Sequence, residues 1–110
     1  MLMTPWGEHL DENCILTEYP RPQMRRNSYL NLNGRWEYAI TDSDESPRRW
    51  DGTILVPFSP ESALSGVGRS LQPGQTLWYR REVILPQGFI PADGRLLLHF
   101  GAVDQEAAVY

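Results

Sequence analysis

Short apolar segments separated by glycine- and proline-containing turns constrain this chain more than any other feature. Helical periodicity is absent over any window of about twelve residues, and residues 60–64 can form one helical turn at most. From residue 28 onward the apolar residues come in short runs, several of which alternate with polar residues. Such runs are typical of strands in an antiparallel β-sandwich. The sequence therefore predicts an all-β fold.

The clearest strand signal lies in residues 35–40, where Trp36 and Tyr38 fall on one face of a period-two pattern. That alternation predicts a half-buried strand. A second apolar run ends at Val56, where Pro57 removes a backbone donor. The full set of predicted strands is 30–33, 35–40, 53–56, 77–85, 95–100 and a last one beginning at residue 107.

Residues 1–27 show little periodicity and contain Pro5, Pro20 and Pro22. A residue that precedes proline is pushed away from the helical region, which makes residues 19–22 extended. We predict an extended N-terminal arm over residues 1–27 that lies against a body formed by residues 28–110. Aromatic residues such as Trp6 and Tyr19 are the expected anchors of this arm.

Composition excludes several function classes. The chain has 110 residues, about one domain, and its net charge of −4 makes nucleic acid an unfavourable partner. All ten basic residues are arginine, so a Walker phosphate loop and a Schiff-base lysine are excluded. No run approaches the roughly 18 apolar residues of a membrane span, and the first residues, Met1 to Trp6, lack the pattern of a signal peptide. We therefore expect a cytoplasmic protein.

Residues with catalytic or metal-binding chemistry are present but scattered. His9, Cys14 and His99 are too far apart in sequence to suggest a metal site, and no cofactor is predicted. Glycoside hydrolysis needs two carboxyl groups, but the sequence alone brings no two together. The available carboxylates are Glu61, Glu82, Asp104 and Glu106.

Aromatic side chains offer a different kind of site, since their faces stack on sugar rings. Trp36, Trp78 and Tyr79 have this capacity, although such residues more commonly form the core of a small sandwich. Trp50 and Phe58 flank loops and are better candidates for exposure.

Several motifs in order along the chain resemble the N-terminal sugar-binding domain of glycoside hydrolase family 2, especially its β-galactosidase-like members, with β-glucuronidases and β-mannosidases as near relatives. They are Tyr19-Pro20-Arg21-Pro22-Gln23-Met24, Leu30-Asn31-Leu32-Asn33-Gly34-x-Trp36-x-Tyr38, Ile54-Leu55-Val56-Pro57-Phe58 with Pro60-Glu61-Ser62-Ala63-Leu64-Ser65-Gly66, Trp78-Tyr79-Arg80-Arg81, Leu96-Leu97-Leu98-His99-Phe100-Gly101-Ala102-Val103-Asp104, and Ala108-Val109-Tyr110. The resemblance implies a jelly-roll sandwich, galactose-binding-domain-like and incomplete at the C-terminus, that buttresses a catalytic barrel. It implies no catalytic residue here, since the family's two catalytic glutamates lie on that barrel.

The resemblance also implies that a jelly-roll loop approaches the substrate, a β-glycoside, in the parent enzyme. Residues 57–76 form the corresponding loop, although Gln75-Thr76-Leu77 replaces the asparagine that some members place there. The candidate sugar-contacting residues within this loop are Glu61, Ser62, Arg69 and Gln72.

Two alternatives remain open beside the scaffold domain. The chain can be a stand-alone carbohydrate-binding module, which needs an exposed aromatic platform, or a decayed reading frame without activity. Burial of both Trp36 and Trp78 would leave few residues for such a platform. Because the family's jelly roll continues beyond the motifs found here, uncovered strand edges also predict that the chain self-associates.

Overall fold

The computed structural model describes residues 2–110, and its regular structure is one antiparallel sheet. The three strands are β1 (Gly34–Thr41), β2 (Gly52–Val56) and β3 (Thr76–Arg80). Helical structure is limited to a four-residue helix, α1 (Pro5–Glu8), and two 3-10 turns, Pro22–Met24 and Ala63–Ser65. The prediction of a mainly β fold is confirmed. None of the helices within residues 2–110 has the length and apolar character needed to cross a membrane.

Strand β1 lies in the middle of the sheet, between β2 and β3. Trp36 of β1 lies opposite Ile54 of β2, and Ala39 of β1 lies opposite Trp78 of β3. Directly opposed residues share a face of an antiparallel sheet. One face therefore carries Trp36 with Ile54, and the other carries Ala39 with Trp78.

The core uses both faces of this sheet. Ile54 is fully buried and its neighbour Leu55 is 3% exposed, so β2 directs a buried side chain to each side. The strand predicted at residues 35–40 is confirmed, but its burial differs from the prediction. Ala39, on the face expected to be polar, is 1% exposed, whereas Trp36 is only half-buried. The reason is that Ala39 is small, central and opposite the large side chain of Trp78.

Several predicted strands are wrong, because residues 30–33, 81–85, 95–100 and 107–110 have no strand structure. At residues 30–33 the Asn33 amide donates to the Asn31 side chain at 2.8 Å, which removes that amide from any sheet ladder. At residues 95–100 the run is apolar enough, but it pairs with neither outer edge of the sheet. An apolar run becomes a strand only where an edge pairs with it; here Leu97 and its neighbours are more than half exposed.

The N-terminal arm reaches the sheet through an aliphatic residue. Ile15 is 4% exposed, whereas Trp6 is 83% exposed and anchors nothing. Tyr19 packs edge-on against Tyr29, with ring centroids 4.6 Å apart. Of the two aromatic anchors expected for the arm, only Tyr19 therefore has a packing partner.

Replacing Ile54 by alanine should lower the free energy of unfolding by about 2–5 kcal/mol, because it leaves a cavity between packed elements. The matched control is Ile84→Ala, since Ile84 is 85% exposed and its truncation should change stability by less than about 0.5 kcal/mol. Urea denaturation followed by tryptophan fluorescence measures both. Equal losses in the two variants would contradict the position assigned to Ile54.

Candidate functional site

A polar groove of about 460 Å³ lies where the chain enters β1. Its walls come from the arm, from the residues just before β1 and from the residue that follows β3. The lining residues are Glu12, Asn13, Asn31, Asn33, Gly34, Arg35 and Arg81. Antiparallel pairing explains why Arg81 is there, since the end of β3 runs back toward the start of β1.

Asparagine side chains hold the arm in place at this groove. The Asn31 Nδ2 donates to the carbonyl of Leu16 at 2.7 Å, and the Asn33 Nδ2 donates to the carbonyl of Ile15 at 3.2 Å. Leu16 has a φ of 47°, in the left-handed region that costs a bulky residue roughly 1–2 kcal/mol. The two amides therefore fix a strained bend of the arm beside β1.

Two arginines contribute to the groove in different ways. Arg35 forms a two-pronged ion pair with Glu12, with Nε to Oε2 at 2.9 Å and Nη2 to Oε1 at 2.6 Å. Arg81 instead donates through Nη1 to the carbonyls of Leu32 and Asn33, at 2.5 and 3.1 Å. The charge of Arg35 is thus neutralised by a carboxylate, whereas Arg81 is held by neutral oxygens.

Gly34 forms the floor of the groove next to Arg81. Its φ of 123° is accessible to glycine and strained for other residues. A Cβ atom at this position would also lie 3.5 Å from the Arg81 Nη1. That distance is an ordinary van der Waals contact, so the backbone angle is what favours glycine at this position.

The loop predicted to approach a substrate is organised around a different residue, Ser65. This side chain is fully buried, and its hydroxyl donates to the carbonyls of Ser62 and Pro60 at 2.8 and 3.2 Å. It also accepts from the Val67 amide at 3.1 Å. The loop therefore satisfies its own backbone within residues 60–67 and folds back on itself.

The four sequence-predicted sugar-contacting residues occupy separate positions in this loop. Glu61 is exposed, and Ser62 caps the 3-10 turn by accepting from the Ser65 amide. Arg69 is exposed, and its amide donates to the Pro60 carbonyl. Gln72 is exposed in a turn that it closes with Gln75. None of the four lines the polar groove.

Ser62 is the member of that set that borders a second, smaller cavity. This cavity measures about 230 Å³, is mainly apolar and lies between the arm and the 3-10 turn Ala63–Ser65. Its lining residues are Leu2, Met3, Thr4, Gly7, Ser62, Ala63 and Leu64.

The aromatic residues considered as a sugar platform are held by the fold. The indole N–H of Trp36 donates to the Leu32 carbonyl at 2.7 Å, and that of Trp78 donates to the Thr41 hydroxyl at 2.9 Å. Both side chains are half-buried, as are Trp50 and Phe58. The exposed tryptophan is Trp6, on α1.

The carboxylates on or near the sheet have specific electrostatic environments. Glu37 accepts a hydrogen bond from Arg80 at 2.6 Å across the sheet, which lowers the pKa of Glu37 and raises that of Arg80. Arg80 also lies over the Trp50 ring, 4.5 Å from its centroid. Burial raises the pKa of Tyr79, and the negative charge of Glu61 raises it further. Glu61 therefore lies close enough to Tyr79 for their charges to interact.

Within residues 2–110, no three histidine, cysteine or acidic side chains converge closely enough to hold a metal ion. No protein-family model matches the chain, and no curated protein sequence is significantly similar to it. The resemblance to glycoside hydrolases therefore stays a prediction that depends on the motifs alone.

The cross-strand pair predicts a specific acid response. The folded-state pKa of Glu37 lies below its ordinary value, so the pair stabilises the fold above the unfolded-state pKa and loses that effect as pH falls through the folded-state value. In Arg80→Gln the Glu37 pKa, measured by NMR titration, should rise back toward its ordinary value. Arg48→Gln is the control, because Arg48 is exposed and forms no ion pair within residues 2–110. An unchanged Glu37 pKa in Arg80→Gln would contradict the pairing.

Proposed function

We propose that this chain is a non-catalytic, sugar-binding scaffold domain of a cytoplasmic family 2 glycoside hydrolase, built as a jelly-roll sandwich. The parent enzyme would hydrolyse β-linked sugars with two carboxylates located on another domain. The observation that carries this proposal is that three of its family-like motifs become neighbouring strands. The segments around Trp36, Ile54 and Trp78 are separated in sequence but pair in one antiparallel sheet.

The environment of the carboxylates favours a scaffold over a catalyst. A general acid in a glycosidase needs a raised pKa, whereas the Arg80 hydrogen bond lowers that of Glu37. Glu12 is likewise paired with an arginine, at 2.6 Å. Glu37 is therefore placed to hold two strands together rather than to donate a proton, and Glu12 ties its segment to Arg35 of β1.

The polar groove supports a sugar-binding role. Asparagine amides, a guanidinium and a carboxylate supply both donors and acceptors, which suit the hydroxyl groups of a sugar. The aromatic platform of a stand-alone binding module has less support, since the Arg81 guanidinium lies over the Trp36 ring and Tyr110 stacks on Trp78, with ring centroids 6.2 Å apart.

Incomplete pairing supports the jelly-roll assignment. The outer edges of β2 and β3 have no strand partner among residues 2–110. The apolar run at 95–100, with Leu96 and Phe100 more than half exposed, pairs with neither of these edges. In a closed sandwich such segments pair with sheet edges and cover an apolar face.

The purified chain should not hydrolyse nitrophenyl β-galactoside. In an NMR titration, methyl β-galactoside should shift the backbone amide signals around Asn33 and Gly34. A loop-lined site would instead shift the signals of residues 57–76. Measurable turnover, or no response to any β-glycoside among galactosides, glucuronides and mannosides, would contradict the proposed function.

The exposed edges and apolar run also predict self-association, through edge-to-edge strand pairing between copies. Size-exclusion chromatography with light scattering should show species larger than 12.6 kDa that shift with concentration. A stable dilute monomer with a cooperative melting transition would contradict this expectation, whatever the outcome of the sugar titration.

A further inference from the structure

The polar groove contains a cation that no carboxylate neutralises. The ion pairs within residues 2–110 are Arg35 with Glu12 and Arg80 with Glu37. Arg81 lines the groove, and its Nη1 donates hydrogen bonds to the carbonyls of Leu32 and Asn33. Its Nε and Nη2 atoms have no hydrogen-bond partner in that part of the chain. These two atoms form the edge of a guanidinium that matches the two oxygens of a carboxylate.

The Arg81 guanidinium is held in position before any ligand arrives. Two carbonyls fix one of its nitrogens, and the ring of Trp36 lies beneath it, 5.9 Å from ring centroid to the central guanidinium carbon. Arg81 is half-buried, unlike Arg69, which is exposed and whose side chain makes no hydrogen bond within residues 2–110. Binding to a fixed guanidinium costs less conformational entropy than binding to a free one.

Groups that suit hydroxyls lie in the same groove. Asn33 donates its amide nitrogen to the Ile15 carbonyl, which leaves its Oδ1 as an acceptor without a donor among residues 2–110. The Asn13 side chain also lacks a partner there and lines the groove. Glu12, the one carboxylate of the groove, is neutralised by the two hydrogen bonds from Arg35. The groove therefore combines a net positive charge with free amide groups.

We propose that this groove binds a small polyhydroxylated carboxylate, a sugar acid, with its carboxylate on the Nε–Nη2 edge of Arg81 and its hydroxyls on Asn13 and Asn33. The proposal rests on the proposed function, since it names the ligand class of a groove on a sugar-binding domain.

Isothermal titration calorimetry of the whole chain with three probes tests the proposal. D-galacturonate should bind at least about tenfold more tightly than D-galactose, from which it differs by a carboxylate in place of a hydroxymethyl group. Acetate, which has the carboxylate alone, should also bind at least about tenfold more weakly. Equal affinity for galactose would overturn the role of Arg81 and leave the proposed function intact. Equal affinity for acetate would overturn the role of the amides.

Two substitutions locate the site. Arg81→Gln should weaken galacturonate binding by about tenfold or more, and Arg69→Gln, at an exposed arginine outside the groove, should leave it unchanged. Arg81 also holds the residues before β1, so its substitution can affect folding as well as binding. Asn13→Ala avoids this difficulty, because the Asn13 side chain makes no hydrogen bond within residues 2–110. It should weaken binding severalfold with an unchanged melting temperature. The proposal would be overturned if galacturonate does not bind, or if its binding is unaffected by Arg81→Gln and Asn13→Ala. If galacturonate binds but the chain does not respond to β-glycosides, the proposed function alone is contradicted.

Discussion

The structure depends on the pairing of β1 with a strand on each side. This central strand brings together residues that are distant in sequence, from the arm at Ile15 to Arg81 beyond β3. The residues just before β1 are held at the Leu32 carbonyl oxygen, which accepts hydrogen bonds from the Trp36 indole and from the Arg81 guanidinium. Because the same oxygen connects the residues before β1 to the residue after β3, the position of the groove follows directly from the sheet topology.

The alternation of side chains along β3 separates two arginines that are adjacent in sequence. Arg80 lies on the face that carries Glu37, which it pairs with across the sheet. Arg81 turns to the other side, toward Trp36 and the groove. The first arginine therefore stabilises strand pairing, and the second remains available as a positive charge at the edge of the sheet. A one-residue change in the register of β3 against β1 would exchange these environments, so the groove requires the register in which Arg80 lies opposite Glu37.

The sequence predicted those elements whose signal is local. Alternation predicted β1, an apolar run ended by Pro57 predicted β2, and the strand predicted at 77–85 included most of β3 but continued beyond its end at Arg80. The same signal failed at 95–100, because an apolar run does not reveal whether a sheet edge is available to it. The groove was missed for a related reason. Asn31 and Asn33 are spaced to lie on one side of an extended segment next to Gly34. Only the tertiary structure shows that Arg81 joins them through the pairing of β3 with β1, and Glu12 through its ion pair with Arg35. The candidate residues in the 57–76 loop came from a resemblance, and the buried hydroxyl of Ser65, which organises that loop, has no sequence pattern of its own.

The distribution of charge indicates what kind of chemistry this surface favours. Glu37 accepts a short hydrogen bond from Arg80, which stabilises its ionised form, and Glu12 forms a two-pronged ion pair with Arg35. An ionised, paired carboxylate is a poor proton donor, so these groups contribute to position rather than to bond cleavage. Once they are paired, the charge that remains at the groove is that of Arg81, held by neutral carbonyls that do not weaken its attraction for an anion. This surface is suited to binding a negatively charged ligand, because its carboxylates are paired and one fixed guanidinium is not. The local charge favours an anion even though the whole chain carries a net charge of −4.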